Sequence, residues 1–375
     1  MTSNLASIRR RIDVRTALLL VAKADAYGHG AIAIAHHAQR CGVDALGVTT
    51  CAEALELRQA GIRTRTVILG PVFSEEAPPA IRAGIELCVP SQELGRGVER
   101  AAFAVGKPAR VHVKVDTGMG RLGVPPDEAL ELLETVRSSP GLELAGVMTH
   151  FAATEGASSA ALQEQVLRFQ GLLEEAKKRS LLSGRDVWIH AANSAAVLSG
   201  IDPLYDAVRV GIAAYGVSAD PGLRSEEFRP ILSVRTRIVH LRTLRTGDRV
   251  GYGGTWSATR PTRIAVLPMG YHDGIDWRLG NHGAVLIRGR RVPMVGRISM
   301  DYTTVDVTDV PGLGLGDTVT IIGEDAGRRI RVEELAELIG TIPYEITCTI
   351  GRRVARTYCG GANCQIARLP AAVSG

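Results

Sequence analysis

The sequence lacks any apolar run long enough to cross a membrane, although 45% of its 375 residues are hydrophobic. Its first residues, Met1 to Leu5, lack the order of basic, apolar and small residues that defines a secretory signal peptide. These absences predict a soluble, cytoplasmic protein with no membrane association. The length and the apolar content allow a large buried core and indicate two domains.

Cysteine and aromatic residues are also scarce. The six cysteines form no close CxxC pair, which predicts free thiols rather than a disulfide framework or a zinc site. Aromatic residues make up only 4%, and the Arg and Lys residues behind the net charge of +5 are dispersed. Because nucleic-acid-binding proteins usually carry a basic stripe interleaved with aromatics, the composition argues against such a partner and favours an anionic small molecule.

Up to about residue 230, apolar runs alternate with amphipathic runs. The runs that resemble strands are Leu18 to Ala22, Ala45 to Thr49, Thr66 to Leu69, Glu86 to Val89, Val111 to Asp116, Leu142 to Thr149, Val187 to Ala191 and Ala207 to Val210. Helical patterns between them include residues 52–58 and 127–133. Eight such repeats predict an α/β fold whose residues 1–230 form a TIM-type (β/α)8 barrel. A doubly wound open sheet is the alternative, because a strand count from sequence can miss one or two.

The residue pattern of the sequence changes after Pro230. Runs rich in Val, Ile and Thr are separated there by Gly, Pro and Asp, and only Val332 to Leu338 has a helical pattern. The strand-like runs are Ile231 to Arg242, Arg263 to Leu267, Ala284 to Arg288, Val292 to Val295, Tyr302 to Val307 and Thr318 to Ile322. Residues 231–375 are therefore predicted to form a separate, mostly antiparallel β domain.

Lys23 follows the first predicted strand directly, in the segment VAKADAYGHG. Sites in strand-helix-strand folds lie at the carboxyl ends of strands, where the loops converge. A lysine held among Ala, Val and Leu loses hydration, so its neutral amine becomes available to form an imine with an aldehyde. A lone lysine at a strand end is more often simply solvated. Here Tyr27 and His29 add a phenol and an imidazole within one turn, which favours a site.

The strand Val111 to Asp116 is followed by a literal GxGxxG at residues 118–123. His112, Lys114 and Asp116 share one face, which in a barrel points inward, where a buried cation requires a countercharge. In dinucleotide-binding folds the glycines open a helix, whereas here a Val-Pro-Pro sequence keeps the chain extended. The Rossmann interpretation is therefore rejected.

Polar residues recur at the carboxyl ends of later strands: His150, Asn193 with Ser194, and Arg209. Each alone is more often a satisfied core side chain or a helix cap, but their recurrence favours a common site. Asn193 and Ser194 precede an apolar run and predict a helix start whose free amides suit a phosphate. Gly211 would let the backbone approach that phosphate closely.

Two tyrosines of the predicted β domain stand among glycines, Tyr252 in VGYGGT and Tyr271 in GYHDG. Small neighbours leave their hydroxyls unshielded, which suits a catalytic role. A tyrosine packed with its hydroxyl merely satisfied is an equally good interpretation of either residue alone. The residues by themselves leave this choice open.

The motifs VAKADAYGHG and KVDTGMGRLG, with later segments in the same order, resemble those of pyridoxal-phosphate-dependent alanine racemases from about Leu18 to Tyr358. The resemblance implies a cytoplasmic homodimer with shared active sites that supplies D-alanine for peptidoglycan. Pyridoxal 5'-phosphate would be bound to Lys23. By this resemblance, Lys23 acts on D-alanine and Tyr252 of the partner subunit acts on L-alanine, from opposite faces of Cα.

The resemblance also implies the roles of the other site residues. Those on the cofactor are Lys23, Tyr27, His150, Asn193, Ser194, Arg209, Gly211, Ile212 and Tyr344. Those on the substrate side are Arg121, Tyr271 and Met300, supported by Lys114, Arg297 and Asp301. Arg209 would face the pyridine nitrogen; since a guanidinium keeps its proton, that nitrogen stays unprotonated and the ring is a weaker electron sink. Lys114 is carbamylated in some members and would then support Arg121.

The sequence departs from the family pattern at several points. Ser299 stands where many members have cysteine, and His272 stands where a smaller residue is expected; both bear on rate and substrate range. The start lacks the usual leading strand, so either the start codon is misplaced or the β domain lacks an edge. The alternatives are a racemase for serine or a broader range of amino acids, a non-catalytic pyridoxal-phosphate carrier, and a metal-dependent barrel hydrolase. The carrier would lack residues 231–358, and the hydrolase would need several His and Asp ligands at strand ends.

Overall fold

The computed structural model describes residues 1–152, 160–183, 186–220, 222, 226–360 and 363–366. The chain forms two compact units, Met1–Arg229 and Pro230–Gly375. The first unit is a closed barrel of eight strands in chain order. The strands are β1 (Ala17–Val21), β2 (Ala45–Val48), β3 (Arg65–Pro71), β4 (Glu86–Val89), β5 (Ala109–Lys114), β6 (Leu142–Met148), β7 (Trp188–His190) and β8 (Ala207–Val210).

Closure of the barrel depends on β1, which pairs in parallel with both of its neighbours. Leu19 lies opposite Ala45 on β2 and opposite Arg209 on β8. Leu18 and Leu20 are also buried. Because the strand is covered on both faces, each of its successive residues must be apolar. The predicted (β/α)8 barrel is confirmed, and the open doubly wound sheet is excluded.

Helices alternate with these strands. They are α1 (Thr2–Arg9), α2 (Ala31–Arg40), α3 (Cys51–Gln59), α4 (Ala77–Arg82), α5 (Gln92–Val105), α6 (Pro126–Ser138), α7 (Ala160–Lys178) and α8 (Ser194–Ser199). The helices predicted at residues 52–58 and 127–133 and the helix start at Ser194 are confirmed. In the described part of the chain, no helix combines the length and the apolarity that a membrane span requires.

The glycine-rich loop after β5 is a turn held by Asp116. Its carboxylate accepts the backbone amides of Gly118 and Arg121 at 2.9 Å each. The Asp116 amide donates to the Val124 carbonyl at 2.8 Å, and α6 begins only at Pro126. The glycines therefore do not open a helix. This confirms the prediction from the sequence that residues 118–123 are not a dinucleotide-binding motif.

The second unit is built from antiparallel pairs, which confirms the predicted β architecture. Its strands are β9 (Val234–Arg237), β10 (His240–Leu244), β11 (Arg249–Val250), β12 (Trp256–Ser257), β13 (Thr262–Leu267), β14 (Ala284–Ile287), β15 (Arg290–Pro293), β16 (Thr303–Asp306), β17 (Thr318–Asp325), β18 (Arg328–Ile330), β19 (Thr357–Gly360) and β20 (Asn363–Ile366). The main sheets have the orders β10-β13-β16 and β15-β14-β17-β18, with β9 paired to β17.

Two details of this unit differ from the sequence prediction. The single run predicted over residues 231–242 is two strands, because β9 pairs with β17 while β10 pairs with β13. Besides α9 (Val332–Ile339), a second helix, α10 (Pro343–Cys348), was missed. It has only six residues and starts at Pro343, so it is too short to show a helical period.

The cysteines also require a correction. Cys359 is disulfide-bonded, so the prediction of free thiols is wrong for this residue. In the hairpin of β19 and β20, its Cα lies opposite that of Cys364, an arrangement that the CxxC criterion does not cover. The free cysteines of the described residues are Cys41, Cys51, Cys88 and Cys348.

Candidate active site

Lys23 leaves the carboxyl end of β1 half-buried and is followed by an unusual turn. Ala24, Asp25, Ala26 and Tyr27 have φ values of 51°, 53°, 52° and 55°, which is a left-handed helical turn without glycine. This conformation costs an L-residue about 1–2 kcal/mol. Contacts from the rest of the unit must therefore stabilise the turn that follows Lys23.

Part of this support comes from His29 and Tyr215. The His29 Nδ1 atom lies 2.9 Å from the Ala26 carbonyl and 3.0 Å from the Tyr27 carbonyl, so this nitrogen carries the proton. The His29 ring stacks on Tyr215 with centroids 4.6 Å apart. The Tyr215 hydroxyl donates to the Val21 carbonyl at 2.8 Å. The sequence drew attention to His29, but Tyr215, almost 190 residues later, gave no signal.

A small polar cradle lies where β8 ends. Asn193 caps the amino end of α8, and the Ser194 hydroxyl accepts the Gly211 amide at 3.0 Å. A Cβ atom on Gly211 would lie 2.4 Å from the Tyr27 hydroxyl, so any larger residue there would displace the Tyr27 side chain. Ile212 begins a short 3-10 turn directly afterwards. Within the first unit, the structure thus brings together four residues that the resemblance assigned to the cofactor: Tyr27, Ser194, Gly211 and Ile212.

Arg209 is buried and held by the backbone. Its guanidinium donates to the carbonyls of Thr149, His190 and Ala191 at 2.7–2.9 Å. It also contacts the Nδ1 atoms of His190, at 3.0 Å, and of His150, at 3.1 Å. Burial lowers the pKa of Arg209 to about 10, so the group is charged at neutral pH.

A chain of hydrogen bonds continues from Arg209 through the barrel. His190 Nε2 lies 2.9 Å from His112 Nδ1, and His112 Nε2 lies 2.7 Å from Glu86. Burial lowers the pKa of both histidines, so they are neutral and each donates one proton toward Glu86. Burial would raise the pKa of Glu86, but His112 and Arg65 outweigh it and hold the value at about 2. The ionised carboxylate ends the chain.

Four cationic side chains act on His150. Burial, and then the charges of Arg209, Lys114, Arg121 and Lys23, lower the pKa of His150 well below its ordinary value. Lys23 and the three other cations are therefore close enough to influence one imidazole, which remains neutral. This end of the barrel attracts an anionic ligand.

Lys114 is buried and differs from the sequence expectation. Within the described residues, no carboxylate lies at ion-pair distance from it, and the charge of Asp116 raises its pKa only as a minor cause. Burial and then the charge of Arg209 instead lower the pKa of Lys114 to about 8. The side chain of Arg121 is exposed at the loop that Asp116 holds.

The predicted substrate-side residues of the second unit are exposed. Tyr252 is 73% exposed in a turn where Gly251 and Gly253 have φ values of 73° and 72°. Tyr271 is 46% exposed and Met300 is 52% exposed. The unit therefore presents these side chains at its surface.

Arg353 connects the loops that carry Tyr271 and Met300. It donates to both oxygens of Asp273 and, at 2.6 Å, to Asp301. Asp273 also accepts the Gly270 amide at 2.9 Å, next to Tyr271. The sequence did not predict a role for Arg353, because no local pattern links it to Asp273 and Asp301, which lie about 80 and 50 positions earlier.

The remaining predicted positions of this unit have separate surroundings. The Arg297 guanidinium lies 5.5 Å from the ring centroid of Trp277. Tyr344 lies on α10, where burial raises its pKa. The Ser299 hydroxyl donates to the Tyr302 carbonyl at 3.1 Å. The described residues hold no cluster of three His, Cys, Asp or Glu side chains that could bind a metal ion.

Comparison with known proteins covers both units. Residues 1–219 match the family model of the alanine racemase N-terminal domain, and residues 231–358 match that of the C-terminal domain. The chain belongs to the alanine racemase family. An alanine racemase of Sorangium cellulosum (strain So ce56) is 42% identical to it over 346 residues, which are 90% of this chain and 90% of that relative.

Solved structures of alanine racemases have the same fold. The alanine racemase of Clostridium difficile 630 aligns with a TM-score of 0.91 at 32% identity, over 97% of this chain and 94% of that chain. The alanine racemase from Bacillus anthracis with bound L-Ala-P gives a TM-score of 0.90 at 32% identity, over 97% and 93%. Membership of this family argues against the carrier and the hydrolase.

Proposed function

We propose that this chain is a cytoplasmic alanine racemase that uses pyridoxal 5'-phosphate, works as a homodimer and supplies D-alanine for peptidoglycan. The observation that carries the proposal is the polar cradle at the end of β8, where the hydroxyls of Ser194 and Tyr27 lie beside Gly211. It occurs in a chain that matches both domains of the family.

The chemistry of the barrel residues fits this cofactor. The glycine at position 211 leaves room beside the hydroxyls of Tyr27 and Ser194, which suit a phosphate together with the Ile212 amide. When bound through Lys23, pyridoxal phosphate supplies an electron sink that acidifies the Cα proton of an amino acid. Arg209, fixed by three carbonyls, would hold a charged guanidinium at the pyridine nitrogen.

Proton transfer requires one base on each face of Cα. Lys23 would remove the proton from D-alanine, and Tyr252 of the partner subunit would remove it from L-alanine. Arg121, Tyr271 and Met300 would bind the substrate. Arg353 would keep the loops of Tyr271 and Met300 in place by its bonds to Asp273, two residues after Tyr271, and to Asp301, directly after Met300.

The exposure of the second unit's side chains supports the homodimer. Tyr252, Tyr271 and Met300 are large, partly apolar and 46–73% exposed. Such a group of side chains is typical of a surface that another chain covers. A two-fold dimer would cover it twice, once on each subunit.

The proposed function is tested by assaying purified protein for racemisation across amino acids. We expect alanine to be the best substrate and serine to be slower. Absence of racemisation of any amino acid by cofactor-loaded protein would contradict the proposal. A protein that prefers serine or a larger amino acid would contradict the assignment to alanine.

The attachment of the cofactor to Lys23 can be mapped chemically. Purified protein should be yellow, and borohydride reduction followed by peptide mapping should place the label on Lys23, which is half-buried at the strand end. The five lysines of the chain are Lys23, Lys107, Lys114, Lys177 and Lys178. A label on any of the other four would contradict the assignment.

Gly211→Ala should weaken cofactor binding at least about tenfold. The new Cβ would overlap the Tyr27 hydroxyl, which must move out of the phosphate cradle. Gly171→Ala is the control, since a Cβ there meets no atom within 4 Å. Spectral titration of the cofactor-free variants measures both affinities. Equal affinities of Gly211→Ala and wild type would show that the phosphate binds elsewhere.

A further inference from the structure

The left-handed turn after Lys23 is also held from a second strand end. The Ala24 amide, the first of the turn, donates to Glu53 Oε1 at 2.7 Å. Glu53 lies at the third position of α3, the helix that follows β2. The residue next to Lys23 is thus bonded to a side chain from the neighbouring strand-helix unit.

The other oxygen of Glu53 is occupied as well. Glu53 Oε2 accepts the amides of Thr49, at 2.7 Å, and Thr50, at 3.1 Å. The Thr50 hydroxyl accepts the Glu53 amide at 3.2 Å, which completes a capping box. A capping box accounts for the Thr50 contacts alone. The short hydrogen bonds from Ala24 and Thr49 are not part of a capping box. They connect the ends of β1 and β2 through the Glu53 carboxylate.

These bonds have the properties needed to fix a strained turn. A carboxylate that accepts amides makes charge-assisted hydrogen bonds, which are about twice as strong as neutral ones. The turn has four successive non-glycine residues with positive φ, so it requires such contacts to persist. The direction in which the Lys23 side chain leaves β1 depends on the peptide that Glu53 holds.

We propose that Glu53 is a positioning residue for Lys23. Through the Ala24 amide it fixes the left-handed turn, and the turn fixes the place from which the Lys23 amine reaches Cα of the substrate. This role rests on the proposed function. It differs from capping α3, which would stabilise the helix without affecting proton transfer.

The two roles are separated by three variants. Glu53→Gln replaces one accepting oxygen by an NH2 group, which cannot accept an amide proton. Thr50→Ala removes the cap hydroxyl but leaves the Ala24 bond, and Glu56→Gln makes the same change at an exposed position of the same helix. We expect Thr50→Ala and Glu53→Gln to lower the Tm by a few degrees each.

Isotope effects provide the readout that a capping role would not change. Lys23 takes the α-proton of D-alanine, so slower transfer to Lys23 should raise the α-deuterium isotope effect on kcat/KM for D-alanine. The same change should lower the effect for L-alanine, whose proton goes to Tyr252 of the partner subunit. In Glu53→Gln we expect the isotope effect to rise for D-alanine and to fall for L-alanine. We also expect kcat/KM to fall about 10- to 100-fold for both enantiomers, because a small misplacement of a reacting group slows the reaction strongly.

Thr50→Ala and Glu56→Gln should keep the isotope effects of the wild type. If Glu53→Gln also keeps them, the positioning role is wrong and Glu53 only caps α3. If Glu53→Gln does not fold, Glu53→Asp retains the charge but is too short to reach both strand ends. It should show the same divergence, and unchanged isotope effects in it would equally overturn the proposal.

Hydrogen exchange of the cofactor-free chain tests the contact without any activity. The amide of Ala24 should exchange about tenfold faster in Glu53→Gln than in wild type. In Glu56→Gln, its exchange rate should equal that of the wild type. Equal exchange in all three proteins would overturn the proposal. If the wild type racemises no amino acid, the proposed function fails, whereas faster exchange at Ala24 would still support the hold of Glu53 on the turn.

Discussion

Lys23→Ala and Tyr252→Phe should each lower alanine racemisation by about 10²- to 10⁴-fold, because each removes one of two bases. Loss of Lys23 should also remove the yellow colour of the purified protein and the label that borohydride fixes, whereas Tyr252→Phe should keep both. Racemisation and the spectrum of each purified variant provide the measurement.

Mixing the two variants tests whether a site is shared between subunits. In a mixed dimer with shared sites, one site receives both defects and the other receives Lys23 and Tyr252 intact. Random reassortment makes about half of the dimers mixed, so roughly a quarter of the wild-type activity should return. The exposure of Tyr252 on its own unit is the observation behind this expectation.

Subunit exchange must be verified with differently tagged chains before the mixed activity is interpreted. If verified mixed dimers are no more active than the parent variants, both bases come from one chain. Tyr252 would then be an exposed tyrosine without a role in a shared site. Each variant exchanged with itself is the control, since it contains no intact site.

Arg209→Glu should have the second large effect. A carboxylate at the pyridine nitrogen should favour protonation of that nitrogen and strengthen the electron sink, so a long-wavelength absorbance should grow with alanine while racemisation slows. The substitution also leaves the carbonyls of Thr149, His190 and Ala191 without their donor. Because it replaces a buried, hydrogen-bonded charge, a stability loss of about 3–5 kcal/mol should accompany it.

Arg209→Lys is the matched control for this change. It keeps the positive charge but loses the planar fork that contacts several acceptors, so it should also lower stability. The long-wavelength absorbance should not grow in Arg209→Lys. If both variants give the same spectrum with alanine as the wild type, Arg209 does not face the ring nitrogen.

The sequence alone indicated the architecture of this protein, because continuous apolar runs between helical patterns are typical of a parallel sheet buried on both faces. The runs around β1, β4 and β8 predicted such strands, and the count of eight favoured the barrel over an open sheet, which the pairing of β1 with β8 then excluded. The repeated Val, Ile and Thr after Pro230 predicted the antiparallel unit. The helix start at Ser194 was also predictable, since Asn193 is a favoured capping residue and its contact is local.

Only the tertiary structure decided how the site residues are held. The chain from Arg209 through His190 and His112 to Glu86 uses one residue from each of four strands, and barrel closure alone makes them neighbours. Arg353 similarly joins loops that are distant in sequence. No periodicity encodes such contacts, because each depends on the packing of elements whose separation along the chain is large.

The left-handed turn after Lys23 shows the same division. Its sequence, Ala-Asp-Ala-Tyr, has no residue that favours positive φ as glycine does, so local preference predicts an ordinary turn or helix. Glu53, His29 and Tyr215 impose the conformation through bonds and stacking that only the folded barrel provides. The sequence determined that Lys23 ends a strand, and tertiary contacts, strong enough to offset the backbone strain, decided the turn that follows it.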